Sequence, residues 1–268
     1  MIKVYETKFR ERAEELIKEE HEELKREENR AASRLWKTSS YDFPERMYYL
    51  FRDYLDRKAA RSEKITFFDV GAAEGCYSCS VVEKFAKAKI IAFEPERPRA
   101  EIYIENIEQY MTDFNRTPED LDISLHEVVV SDGTKNVVTM RHYVCPKTGG
   151  GAGSSSTIQY DRQNRISLDI PYEAVSLNSY IDQVDEVDII KIDVEGGELA
   201  VLRGAGKFMD KFKPGLFLEV HGHEQNGSIT IDQVKEIIET YESNYNIKLL
   251  ETHPGPDLHY YLITPRKD

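Results

Sequence analysis

The sequence predicts an α/β fold, a mainly parallel sheet flanked by helices and closed by an antiparallel pair of strands. Three observations carry this. Short apolar runs alternate with helical patterns of about 10–15 residues, the rhythm of right-handed crossover units. The first apolar run passes through a glycine turn directly into a helix. The final two strand patterns are separated by Pro254-Gly255-Pro256-Asp257, a turn with no room for a crossover helix, so they must pair antiparallel.

The elements follow in order. Residues 1–60 read as a helical extension. To about residue 36 the chain is almost entirely Glu, Lys and Arg, with Phe9, Ala13, Leu16, Ile17, Leu24 and Leu35 at helical spacing. This predicts a long exposed helix with a narrow apolar seam that leans on the domain, and the seam also suits a second copy, making a homo-oligomer through this helix. From Pro44 to about Ala60, Met47, Leu50, Phe51, Tyr54 and Leu55 predict a second helix. Residues 61–268 read as one domain with seven strands, at 65–70, 89–93, 123–130, 188–193, 216–220, 246–250 and 258–264. Helices are expected at 76–86, 97–111, 197–209 and 230–241. The stretch 132–180 breaks the rhythm and reads as an insertion. Its strand-like pieces at 136–144 and 166–176 surround a glycine- and serine-rich loop, and Ser154 and Ser155 are candidate substrate contacts on a mobile lid.

Composition excludes several classes. Lys and Arg number 36 against 49 Asp and Glu, a net charge of −13. A nucleic-acid binder needs a basic face, and so does a protein docked on an anionic membrane. No apolar run approaches the roughly 18 residues of a membrane-spanning helix, and the first residues show no apolar secretory core. Three cysteines are too few for a disulfide scaffold, so a reducing, cytoplasmic location is expected. Cys76 and Cys79 form a lone Cys-x-x-Cys in the first domain helix and read as structural.

The chemistry concentrates at strand ends. Asp69-Val70-Gly71-Ala72-Ala73-Glu74-Gly75 joins a strand to a helix. Gly71 allows a tight turn and Gly75 a close ligand approach. Ala73 stands where a dinucleotide fingerprint needs its second glycine, and no P-loop lysine follows, so a nucleoside without a pyrophosphate fits best. Glu94 ends the next strand, where an acid accepts hydrogen bonds from both ribose hydroxyls. Ser131 and Asp132 follow the third strand, beside an expected adenine, and Tyr77 is expected over the same site. Asp193 and Glu195 end the fourth strand, Glu198 lies one helical turn on, and Glu219 and His221 project together from the fifth.

Phe68 to Gly75, Ala92-Phe93-Glu94-Pro95, Val130-Ser131-Asp132 and Ile190-Lys191-Ile192-Asp193-Val194-Glu195-Gly196-Gly197-Glu198, followed by Leu202-Arg203-Gly204-Ala205, resemble the FkbM-type methyltransferases over about residues 64–221. Leu177-Asn178 departs from the Leu-Asp usual in that family. The resemblance implies a Rossmann-like class I methyltransferase fold, S-adenosylmethionine as cofactor and a hydroxyl as acceptor. It assigns the methionine end of the cofactor to the segment holding Asp69, Gly71, Ala73, Glu74 and Gly75, and the ribose to Glu94. The reading is an O-methyltransferase acting on a sugar, a glycan or a glycosylated metabolite. A hydroxyl needs a base, and His221 is the first candidate, with Asp193 the second. Glu195 joins them as a catalytic candidate, Asp193 is also an expected cofactor contact, Glu195 and Glu198 would orient acceptor hydroxyls or the backbone of the first helical turn, and Glu219 is an expected substrate contact. No metal is assigned, although Asp193, Glu219 and His221 are residue types that also suit a divalent cation. A nicotinamide-dependent oxidoreductase shares the ribose acid but needs the missing glycine. A non-catalytic protein assembling through the N-terminal helix is the third reading.

Overall fold

The computed structural model describes residues 2–5, 46–144, 166–221, 231–240, 245–253 and 258–266. Along the chain these form β1 (Lys3–Tyr5), α1 (Arg46–Ala59), β2 (Lys64–Val70), α2 (Cys76–Lys84), β3 (Lys87–Phe93), α3 (Arg97–Asp113), β4 (Leu121–His126) and β5 (Val129–Val130). There follow β6 (Val137–Val144), β7 (Ile166–Val175), a 3-10 turn (Leu177–Tyr180), β8 (Ile189–Ile192), α4 (Glu198–Arg203), α5 (Gly206–Phe212), β9 (Gly215–His221), α6 (Ile231–Thr240), β10 (Tyr245–His253) and β11 (Leu258–Pro265).

The main sheet runs β1-β4-β3-β2-β8-β9-β11-β10. Every pairing from β1 to β9 is parallel, and β11 pairs antiparallel with both β9 and β10. The seven expected strands are therefore present with the expected closing pair. Strands covered on both faces need apolar residues at every position, and β2 is buried from Ile65 to Val70. Alternate residues serve opposite layers. Phe68, Ile190, Leu216 and Leu218 pack with α4, α5 and α6. Phe67, Ile90 and Phe217 pack with α1, α2 and α3.

Four expectations change. Residues 3–5, placed at the start of a helix, form an eighth strand on the sheet edge beside β4. The expected third strand is two. β4 stays in the main sheet, and β5 turns away at Glu127 and Val128 to pair with β7 in a small second sheet, β5-β7-β6. That sheet is the insertion. The expected helix at 197–209 is broken at Gly204 and Ala205 into α4 and α5, and Gly204 packs so closely on the Ser131 carbonyl that a Cβ there would approach it to 2.1 Å. Finally, α1 was assigned to the extension, yet Phe51 and Leu55 are fully buried in the core. The expected seam helix beyond Tyr5 and the loop with Ser154 and Ser155 lie outside the described residues.

Candidate active site

The site lies where β2, β3, β8 and β9 end together. β2 delivers the turn after Asp69. Gly71 adopts φ +76°, and a Cβ on it would stand 1.8 Å from the Asp193 carbonyl oxygen. Only glycine fits between the two strand ends. Ala73 is also left-handed, at φ +47°, and this turns its N–H toward β3, where it donates to Glu94 Oε2 at 2.9 Å. The Glu96 N–H donates to Glu94 Oε1, also at 2.9 Å. Glu94 is thus held by both oxygens with its remaining lone pairs unassigned. Burial, then the charge of Glu96, push its carboxyl up to about 8, with Arg99 acting in opposition.

A cavity of about 200 Å³ opens above these groups. Gly71, Ala73 and Glu94 form one wall, and Asp193 and Glu195 another. Val128, Val129, Val130 and Ser131 make an apolar side, and Val138, Thr139 and Met140 of the small sheet close it over. The other expected cofactor residues stand outside this lining. Asp69 lies beneath the turn, fully buried, and accepts from Ser78 Oγ at 2.7 Å. Glu74 pairs with Arg99 at 2.8 Å. Gly75 faces the Tyr103 ring, which a Cβ would meet at 2.7 Å, so its glycine serves packing rather than ligand approach. The Tyr77 ring is buried against Phe51, centroids 4.9 Å apart. Asp132 accepts from the N–H and hydroxyl of Thr134 and staples its own turn.

The expected acid cluster does assemble. Glu195 and Gly196 are both left-handed, at φ +53° and +103°, so the chain doubles back after β8. Glu198, fully buried at the start of α4, accepts the N–H groups of Gly196 at 3.0 Å and Val194 at 3.3 Å. The same oxygen lies 3.0 Å from His221 Nδ1. His221 Nε2 is 3.4 Å from Glu195 and 3.6 Å from Glu219. Burial opposes a charge on the ring, but the hydrogen bond to Glu198 and the carboxylates of Glu198, Asp193 and Glu195 prevail and push it up to about 10. Burial and the Asp193 charge push Glu195 up to about 7, against the pull of His221. Asp193, Glu219 and His221 each offer a ligand atom within 4.8 Å of the others, a spacing that a divalent cation could span. Asn178 accepts from the Phe208 N–H at 3.0 Å and so ties the 3-10 turn to α5.

Lys191, in the middle of an otherwise apolar β8, is 2 % exposed and donates to the Gly71 carbonyl at 2.5 Å. Its only sequence signal is a charge inside Ile189-Ile190-Lys191-Ile192, a run that otherwise reads as buried.

The chain is similar to a methyltransferase FkbM from Methylobacillus flagellatus KT, at 20% identity and TM-score 0.47 over 75% of this chain. It spans 44% of that chain's length. It is also similar to a putative O-methyltransferase from Klebsiella pneumoniae, at 13% identity and TM-score 0.48, over 94% of each chain. No curated protein sequence matches. Residues 69–246, from Asp69 near the end of β2 into the first residues of β10, match the methyltransferase FkbM domain, and with well over half of its length inside that match the chain belongs to the FkbM methyltransferase family.

Proposed function

We propose that the protein is an S-adenosylmethionine-dependent O-methyltransferase whose acceptor is a hydroxyl of a sugar, glycan or glycosylated metabolite. The observation that carries this is the cavity walled by Gly71, Ala73 and Glu94 on one side and by Asp193 and Glu195 on the other. The residues present fit the cofactor. A Cβ at Gly71 would close the turn, Glu94 keeps lone pairs for two ribose hydroxyls, and Asp193 Oδ1 is buried with no hydrogen-bond partner among the described residues. The apolar flank of Val128–Val130 suits a purine. When bound, the cofactor supplies a methyl group already activated on a sulfonium.

What remains for the protein is to place the acceptor oxygen and remove its proton. His221 holds its own proton at neutral pH, so the role of base passes to Glu195, which lines the cavity and has a carboxyl matched to that pH. His221 then acts as the charged partner that fixes Glu195, and Glu198 fixes His221. Glu219 accepts a hydrogen bond from a neighbouring acceptor hydroxyl.

Thermal unfolding tests the cofactor. S-adenosylhomocysteine should raise the midpoint and NAD should leave it unchanged. If neither ligand shifts it at millimolar concentration, the reading is wrong. Mass spectrometry of glycans incubated with methyl-labelled cofactor then tests the acceptor class.

A further inference from the structure

Lys191 is a buried cation that neither the fold nor the reaction above has used. Its ammonium sits between the two strand ends that form the cavity. It donates to the Gly71 carbonyl at 2.5 Å, and lies 3.5 Å from Asp193 Oδ2 and 3.8 Å from Asp69 Oδ1. The Tyr77 ring centroid is 5.2 Å away. A lysine in the middle of an apolar strand is costly to bury, so packing alone does not account for it.

The geometry says what it holds. Gly71 and Asp193 touch through their backbones, and the Asp193 N–H donates to the Val70 carbonyl at 3.1 Å. The Ala72 N–H, in the same peptide plane as the Gly71 carbonyl, donates to the Phe93 carbonyl at 2.9 Å and so aims that carbonyl, while the Asp193 carboxylate is left free to turn about its own side-chain bonds. Lys191 engages both. Its bond to the Gly71 carbonyl joins the glycine turn to β8. It also draws Asp193 Oδ2 toward itself, and the opposite oxygen, Oδ1, is the one left without a partner among the described residues.

We propose that Lys191 is a positioning residue for cofactor binding. It ties the glycine turn after β2 to Asp193 after β8, so that both walls meet the methionine end of the cofactor in one fixed arrangement. The proposal rests on the S-adenosylmethionine reading, and the test separates the two. Calorimetry with S-adenosylhomocysteine is run on wild type, Lys191→Met and the double variant Asp69→Asn/Lys191→Met. The double variant removes the neighbouring buried carboxylate charge along with the ammonium and so guards against simple misfolding.

Both variants are expected to weaken binding at least tenfold, while the double variant regains most of the melting temperature that the single one loses. A purely structural lysine would lower the melting temperature and leave the dissociation constant of the folded protein within twofold of wild type, and that result overturns the proposal. If neither variant folds, ¹⁵N spectra of the slowly exchanging lysine ammonium in wild type decide. Its resonance should move on addition of S-adenosylhomocysteine, and an unmoved signal also overturns the proposal. Absence of binding by wild type would instead overturn the cofactor reading itself.

Discussion

Glu94 and Gly71 show how much a single position carries. Glu94 was legible because an acid at the end of the second parallel strand has one obvious use. Its hold by Ala73 was not, because a left-handed alanine leaves no mark in a sequence. The carboxyl is raised to about 8, so it is largely neutral at pH 7 and gains charge as the pH climbs. A charged carboxylate accepts stronger hydrogen bonds from ribose hydroxyls. Affinity for S-adenosylhomocysteine, measured by calorimetry, should therefore rise between pH 7 and pH 9. Glu94→Gln should flatten that profile and weaken binding about tenfold to a hundredfold, the worth of one or two hydrogen bonds to a charged group. At Gly71, alanine would combine a left-handed backbone with a Cβ only 1.8 Å from a carbonyl oxygen. Gly71→Ala should lower unfolding free energy by more than about 2 kcal/mol in urea titrations. The ring of His221 was expected to be a base on the strength of its ordinary pKa. The sequence places Glu198 and His221 far apart in the chain, and only the fold shows that the first keeps the second charged.

Among the elements, strands were easier to read than their partners. β2, β3, β8 and β9 declare themselves because a doubly covered strand is apolar at most of its positions. β1 has three residues and no pattern to detect, and β5 looks continuous with β4 until the second sheet claims it. The helix α1 shows how an element can be recognised and still be placed wrongly. It lies before the region matched by the family and beyond the expected domain boundary, but the Phe51 ring packs on Tyr77, Phe67 and Phe217, with centroids 4.9, 5.5 and 5.1 Å apart. Arg52 adds a two-pronged pair with Glu83 of α2, at 2.7 and 2.8 Å. Phe51→Ala should cost about 3–5 kcal/mol in a urea titration, as for a large aromatic removed from a closed core. A fragment beginning at residue 61 should be markedly less stable than one that retains α1.

The whole molecule sets what a ligand can do to stability. The cavity draws on β2, β3, β8 and the small sheet together, so occupancy should report on global unfolding. At a hundred times its dissociation constant, S-adenosylhomocysteine should add about 2.7 kcal/mol to unfolding free energy by mass action, seen as a shift of the urea midpoint followed by circular dichroism. Net charge belongs to this scale too. Asp69, Glu94, Asp193, Glu195, Glu198 and Glu219 bring six carboxyl groups to one end of the sheet, with Lys191 and His221 among them. Among the described residues no helix is long and apolar enough to cross a membrane.

The order of the sheet also governs how the chain can be made. β11 is the last described strand to leave the ribosome, yet it lies in the sheet interior, between β9 and β10. Until it arrives, β9 presents an unpaired edge that is apolar from Leu216 to Leu218, and β10 has nothing to join. The nascent chain must therefore wait with its active-site strand uncovered, and premature termination before Leu258 would release a protein with an open edge ready to pair with a stranger.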